Sequence, residues 1–131
     1  MLKSPRHPVK ADCHSPHVAF GRFAGGGAAS NMTKVFGRGI SSVTYNAATG
    51  CYRITFNAVP AGTFLGVHIS CAPSAGTAAG MRIANETGGT YSATNKIVDF
   101  TVCDTATPTL TDLATTDYVT ITAMWAETAK P

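Results

Sequence analysis

Ile40-Ser41-Ser42-Val43-Thr44-Tyr45, then Asn46-Ala47-Ala48-Thr49-Gly50, then Cys51-Tyr52-Arg53-Ile54-Thr55-Phe56 is the stretch that decides the fold. In the second arm Tyr52, Ile54 and Phe56 fall on one face, and Cys51, Arg53 and Thr55 on the other. This period-2 alternation is that of a β-strand with one buried face. Gly50 closes the turn and supplies the positive φ that a hairpin loop of this length requires. The stretch is a β-hairpin, and Tyr52, Ile54 and Phe56 are its contribution to a core.

Working towards the C-terminus, Thr63 to Cys71 alternates again, which predicts Leu65, Val67, Ile69 and Cys71 on one face. Met81-Arg82-Ile83 begins a short strand, and Lys96 to Cys103 aligns Val98, Phe100 and Val102. Asp117 to Trp125 aligns Val119, Ile121, Ala123 and Trp125. The Thr-rich loop before it carries Leu110 and Leu113, apolar residues placed to pin it to the body. Towards the N-terminus, Val18 to Phe23 is a short strand candidate and Val35-Phe36 a weaker one. Ala24 to Ser30, with Gly25-Gly26-Gly27, has the composition of a flexible hinge.

Residues 1–17 hold Pro5, Pro8 and Pro16 and show no apolar periodicity, so they form an extended arm. Such an arm either stays disordered or orders on a partner. The division expected is an arm over residues 1–30 and a sandwich domain over 31–131. Six to eight strands without an amphipathic helix, separated by Gly- and Pro-bearing loops, make an all-β antiparallel β-sandwich or jelly roll.

The composition fits. At 131 residues the chain is most simply one domain with one core. Only 13% of residues are charged, about half the usual share, and Thr, Gly and Ser favour strands and turns. The net charge of +3 is unevenly placed. Residues 1–40 carry Lys3, Arg6, Lys10, Arg22, Lys34 and Arg38 against Asp12. Residues 41–131 carry four bases against six acids. A basic leading segment suits an acidic partner surface, but it is too sparsely basic to favour nucleic acid. No run approaches the ~18 apolar residues of a membrane span. Basic residues at the start lack an apolar segment behind them, so a secretory signal is not expected, and reduced thiols are expected at Cys13, Cys51, Cys71 and Cys103.

Catalytic signals are weak. Asp12, Cys13, His14 and His17 are the nearest approach to a metal cluster, yet no second ligand pair matches them, so no metal is expected. His68 lies on a strand opposite its apolar face, and no nucleophile elbow accompanies it. The acids Glu86, Asp99, Asp104, Asp112, Asp117 and Glu127 are scattered and mostly beside turns, where solvated or backbone-capping roles are the default. Gly25-Gly26-Gly27 lacks the Lys and Ser/Thr of a phosphate loop. No enzyme and no cofactor are expected.

The run Gly39 to Tyr45 followed by Gly50 to Asn57 resembles a pattern in small β-sandwich virion proteins of tailed bacteriophages. There a Ser-Ser-Val/Ile strand, a Gly-closed turn and a Tyr-x-Ile/Val-x-Phe strand recur, with a long last strand like Tyr118 to Trp125. The likeness covers about Asn31 to Glu127. It implies a capsid decoration (cement) protein or a related tail-fibre domain, located on the virion and made in the bacterial host cytoplasm. The implied partner is the major capsid protein, without nucleic acid or membrane, and the chain would act as a homo-oligomer (dimer or trimer). Lys3, Arg6, Lys10 and Arg22 of the arm would make the capsid contacts, and deleting residues 1–24 would abolish attachment while leaving the body folded. The alternative is a tail-fibre, spike or carbohydrate-binding β-domain, with Pro73–Gly80 and Glu86–Asn95 as its binding loops.

Overall fold

The structure is a computed structural model and describes residues 16–72, 82–104 and 110–127. Eight strands follow in order: β1 (His17–Ala24), β2 (Thr33–Arg38), β3 (Ile40–Asn46), β4 (Cys51–Phe56), β5 (Thr63–Ala72), β6 (Arg82–Glu86), β7 (Ile97–Asp104) and β8 (Tyr118–Ala126). They form two four-stranded antiparallel sheets, β2-β1-β8-β5 and β3-β4-β7-β6. The all-β sandwich expected from the alternating patterns is the architecture found.

The β3–β4 hairpin lies where its pattern puts it. Val43 pairs with Ile54 and Tyr45 with Tyr52, and Tyr52, Ile54 and Phe56 are buried. Gly50 adopts φ +72°, the left-handed conformation the turn requires. Its N–H and that of Thr49 both donate to the Asn46 carbonyl. Across the pairing, β7 sets Phe100 against Tyr52, the rings stacked at 5.4 Å.

The second sheet covers this face with Ala19, Phe23, Val119, Ile121, Ala123 and Trp125. Phe56 meets Trp125 edge-on at 5.0 Å, closing one end of the sandwich. Near the other end the Tyr52 hydroxyl accepts the buried Leu113 N–H at 2.9 Å. That bond fixes the loop before β8, so Leu113 pins the loop as its sequence position suggests. Leu110 makes a lone bridge to Cys103 and stays exposed.

Three expectations need correction. First, residues 17–30 are not an arm. His17–Ala24 is an inner strand, bonded to β2 on one side and β8 on the other. A deletion to residue 24 would therefore remove a structural strand, so a test of the arm must stop before His17. Second, the glycine run is not a hinge. Gly25 N–H donates to the Asp117 carbonyl and Gly27 N–H to that of Leu113, both at 2.9 Å. A Cβ on Gly25 would fall 2.2 Å from the Ala114 carbonyl oxygen, and one on Gly26 would fall 2.0 Å from that of Asn31. Here glycine permits close backbone approach rather than motion.

Third, Leu65 is not in the core. A bulge in β5 sets two steps, Phe64 to Gly66, against the single step Trp125 to Met124 on β8. The extra residue turns Phe64 inward and leaves Leu65 56% exposed. Phe64 then stacks on Tyr91 at 3.9 Å, and the Tyr91 hydroxyl accepts the Trp125 Nε1–H.

The hairpin core predicts two measurable losses. Ile54→Ala leaves a cavity at the centre of both sheets and should cost about 2–5 kcal/mol in urea denaturation. Tyr52→Phe keeps the ring but orphans the Leu113 N–H, and should cost about 1–3 kcal/mol.

Candidate functional site

Most charged groups of the β3-β4-β7-β6 sheet have close partners, although the buried Arg82 Nε makes no hydrogen bond among the described residues. Arg53 Nε and NH2 donate to the two carboxylate oxygens of Asp99 at 2.8 and 3.1 Å. These bonds hold the Arg53 guanidinium charged more firmly than usual, against a smaller opposing effect of burial. Arg82 NH1 donates to Asp104 at 3.4 Å. Glu86 Oε1 accepts the Val67 N–H of β5 at 2.8 Å, capping the edge of the neighbouring sheet.

Asp112 accepts the Ala29 N–H, and Asp117 accepts the Ala114 N–H three residues earlier. Asp99 and Asp117 are buried, so the expectation of solvated acids fails for these two. Each ties down backbone or a partner side chain instead. Glu127 sits 3.4 Å from His17, which connects the end of β8 to the start of β1.

Among the described residues, no group of three or more His, Cys, Asp or Glu is placed to hold a metal ion. Asp12, Cys13 and His14 lie outside the described residues. His68 is an exposed strand residue, as its alternation implies. Cys51, Cys71 and Cys103 are free thiols. Burial, reinforced by Asp117, pushes the Cys71 thiol up to about 11, which makes it a poor nucleophile at neutral pH. Among the described residues, no helix is long and apolar enough to cross a membrane.

The unusual surface is the outer face of the β2-β1-β8-β5 sheet. Strand register puts Val18 beside Met124 and Phe20 beside Thr122 and Arg38. The Phe20 and Phe36 rings lie 6.3 Å apart, and Phe36 is 67% exposed. Leu65, displaced by the bulge, extends the strip past Met124. An exposed apolar strip thus runs across all four strands. Arg22 flanks it, its guanidinium 4.8 Å over the Tyr118 ring and bonded to Thr120 Oγ1. Sequence reading singled out Arg22 for its charge. It missed the strip, because Phe36 and Leu65 look like core residues until register and bulge expose them. Lys3, Arg6 and Lys10 lie outside the described residues.

A concavity of about 680 Å³ lies between the loops around Ala28 and Asp112, with Tyr45 on its wall. Partial burial and the adjacent Asp112 raise the Tyr45 hydroxyl above its usual range. The loop Glu86–Asn95 is fastened rather than free: Thr87 bonds Thr101, Thr90 Oγ1 bonds Asp99 backbone, and Tyr91 stacks on Phe64. The Pro73–Gly80 loop lies outside the described residues. In comparisons with known proteins, no family model, no curated protein and no solved structure matches the chain.

The Cys71 environment predicts alkaline sensitivity with a definite sign. Its folded pKa is raised, so the stabilisation is whole below the ordinary thiol value near 9 and is lost as pH rises through about 11. Urea midpoints should fall over that window in the wild type, and should fall less in Cys71→Ala.

Proposed function

We propose that the protein is a bacteriophage capsid decoration (cement) protein that binds the outer surface of the assembled shell and stabilises capsomer contacts. The observation that carries this reading is the exposed apolar strip of Val18, Phe20, Phe36, Leu65 and Met124 on one sheet face. Soluble monomers rarely keep such a strip uncovered, and adhesion to a partner is its physical use. The hairpin that bears the virion-protein likeness also forms the centre of the core, so the likeness falls on the rigid part of the molecule.

The mechanism is mechanical. A stiff sandwich that binds only assembled shell stabilises that assembly by mass action. The partner is the major capsid protein, and a homo-oligomer, dimer or trimer, would bridge several capsomers at once. Lys3, Arg6 and Lys10 precede β1 in the sequence and, on this reading, would add charge contacts with the shell.

One observation favours a second reading, a carbohydrate-recognition domain. The concavity near Ala28 and Asp112 offers the Tyr45 ring and a carboxylate, which suits a small polar ligand. A glycan array with the isolated protein separates the two readings.

Co-sedimentation tests the cement reading. The protein should pellet with assembled capsids and not with unassembled capsid subunits. A variant lacking residues 1–15 should keep its unfolding temperature and bind shells at least several-fold more weakly. Equal binding to subunits and shells, or none to shells, contradicts the reading.

A further inference from the structure

Resting on the cement reading, we infer that the outer face of the β2-β1-β8-β5 sheet docks a protein surface with an apolar centre and a carboxylate rim, not a second copy of this chain. The centre of the face is Phe20 and Phe36, continued by Val18 and Met124. Its charged groups are both basic. Arg22 pairs in register with Phe36, and Arg38 with Phe20, so both project on the same side as the rings. No described residue that shares this face by register is Asp or Glu. His68 lies next to Thr122 on the β5 side.

The described acids have other partners: Asp99 and Asp104 pair with arginines of the other sheet, Asp112 and Asp117 hold loops, Glu127 faces His17, and Glu86 accepts the Val67 N–H at the β5 edge of this sheet. The face therefore keeps its positive potential, and Arg38 has no ion-pair partner among the described residues. A two-fold pairing of this face would bring four guanidinium groups together with no carboxylate between them. Like charges brought together at an interface core weaken or forbid it. Carboxylates around an apolar centre satisfy both parts of the face, since arginine binds them in a bidentate fork while the rings are covered.

The test uses the full chain with synthetic peptides alternating Leu and Glu or, as control, Leu and Lys, followed by NMR of labelled protein. Leu-Glu peptide should shift the amides of Val18, Phe20, Phe36 and Met124, and salt should weaken the binding. Phe36→Ser and Arg38→Glu should each reduce its affinity about tenfold with unchanged unfolding temperature, since both residues are exposed. Equal binding of the Leu-Lys peptide, no shift with either peptide, or unaltered affinity in the variants overturns the inference. So does a dimer in light scattering that Phe36→Ser dissolves, which would make a second copy the occupant. Capsid co-sedimentation of the same variants keeps the two proposals apart. If wild type and variants attach equally, the cement reading stands and this inference falls. If the wild type does not attach, the cement reading falls, and the peptide titration still decides the chemistry of the face.

Discussion

The edge-on contact of Phe56 with Trp125 is the constraint on which the rest of the structure depends. Phe56 ends the hairpin of one sheet, and Trp125 lies near the end of the longest inner strand of the other. Their meeting sets the spacing of the sheets at that end. It also fixes the direction of the aromatic rings beside it: Phe64 tilts against Trp125, and Tyr91 stacks on Phe64 while accepting the indole N–H. Aromatic contacts of this geometry add stabilisation beyond the area they bury. At the far end Tyr52 has the matching role, with Phe100 on its ring and the Leu113 N–H on its hydroxyl. Two tyrosine hydroxyls thus satisfy donors that the closing sheets would otherwise leave buried and unpaired.

Closing the sandwich this way divides the charge of the molecule. The β3-β4-β7-β6 sheet pairs Asp99 and Asp104 with its arginines, and the loops absorb Asp112 and Asp117. The outer face of the other sheet is left with rings, methyl groups and guanidinium groups. Its polarity comes from topology as much as composition: β1 is carried between β2 and β8, so Phe20 and Arg22 of the basic N-terminal third lie on the face of a sheet rather than on a free tail.

The hairpin was legible because its alternation is strict and its turn ends in glycine, both local signals. β7 and β8 were legible for the same reason. The inward residues of β5 were only partly so. Val67, Ile69 and Cys71 face inward as expected, but the bulge that expels Leu65 depends on β8 opposite and on Glu86 capping Val67, contacts made across long stretches of sequence. Gly25-Gly26-Gly27 signals flexibility by composition, and only the nearness of Ala114 and Asn31 shows that these glycines allow close packing. Of the expected contact residues, Arg22 lies on an inner strand rather than on an arm. The apolar strip beside it could not be read at all, because exposed Phe36 and buried Phe36 have the same sequence.

Oxidative footprinting of the protein alone and on assembled shells tests the central claim, attachment through this sheet face, most directly. Phe20, Phe36 and Met124 should be oxidised in the free protein and protected by shells, while Ile83, exposed on β6 of the other sheet, should react equally in both. Protection of Ile83 with continued oxidation of Phe36 and Met124 on the shell would contradict the account.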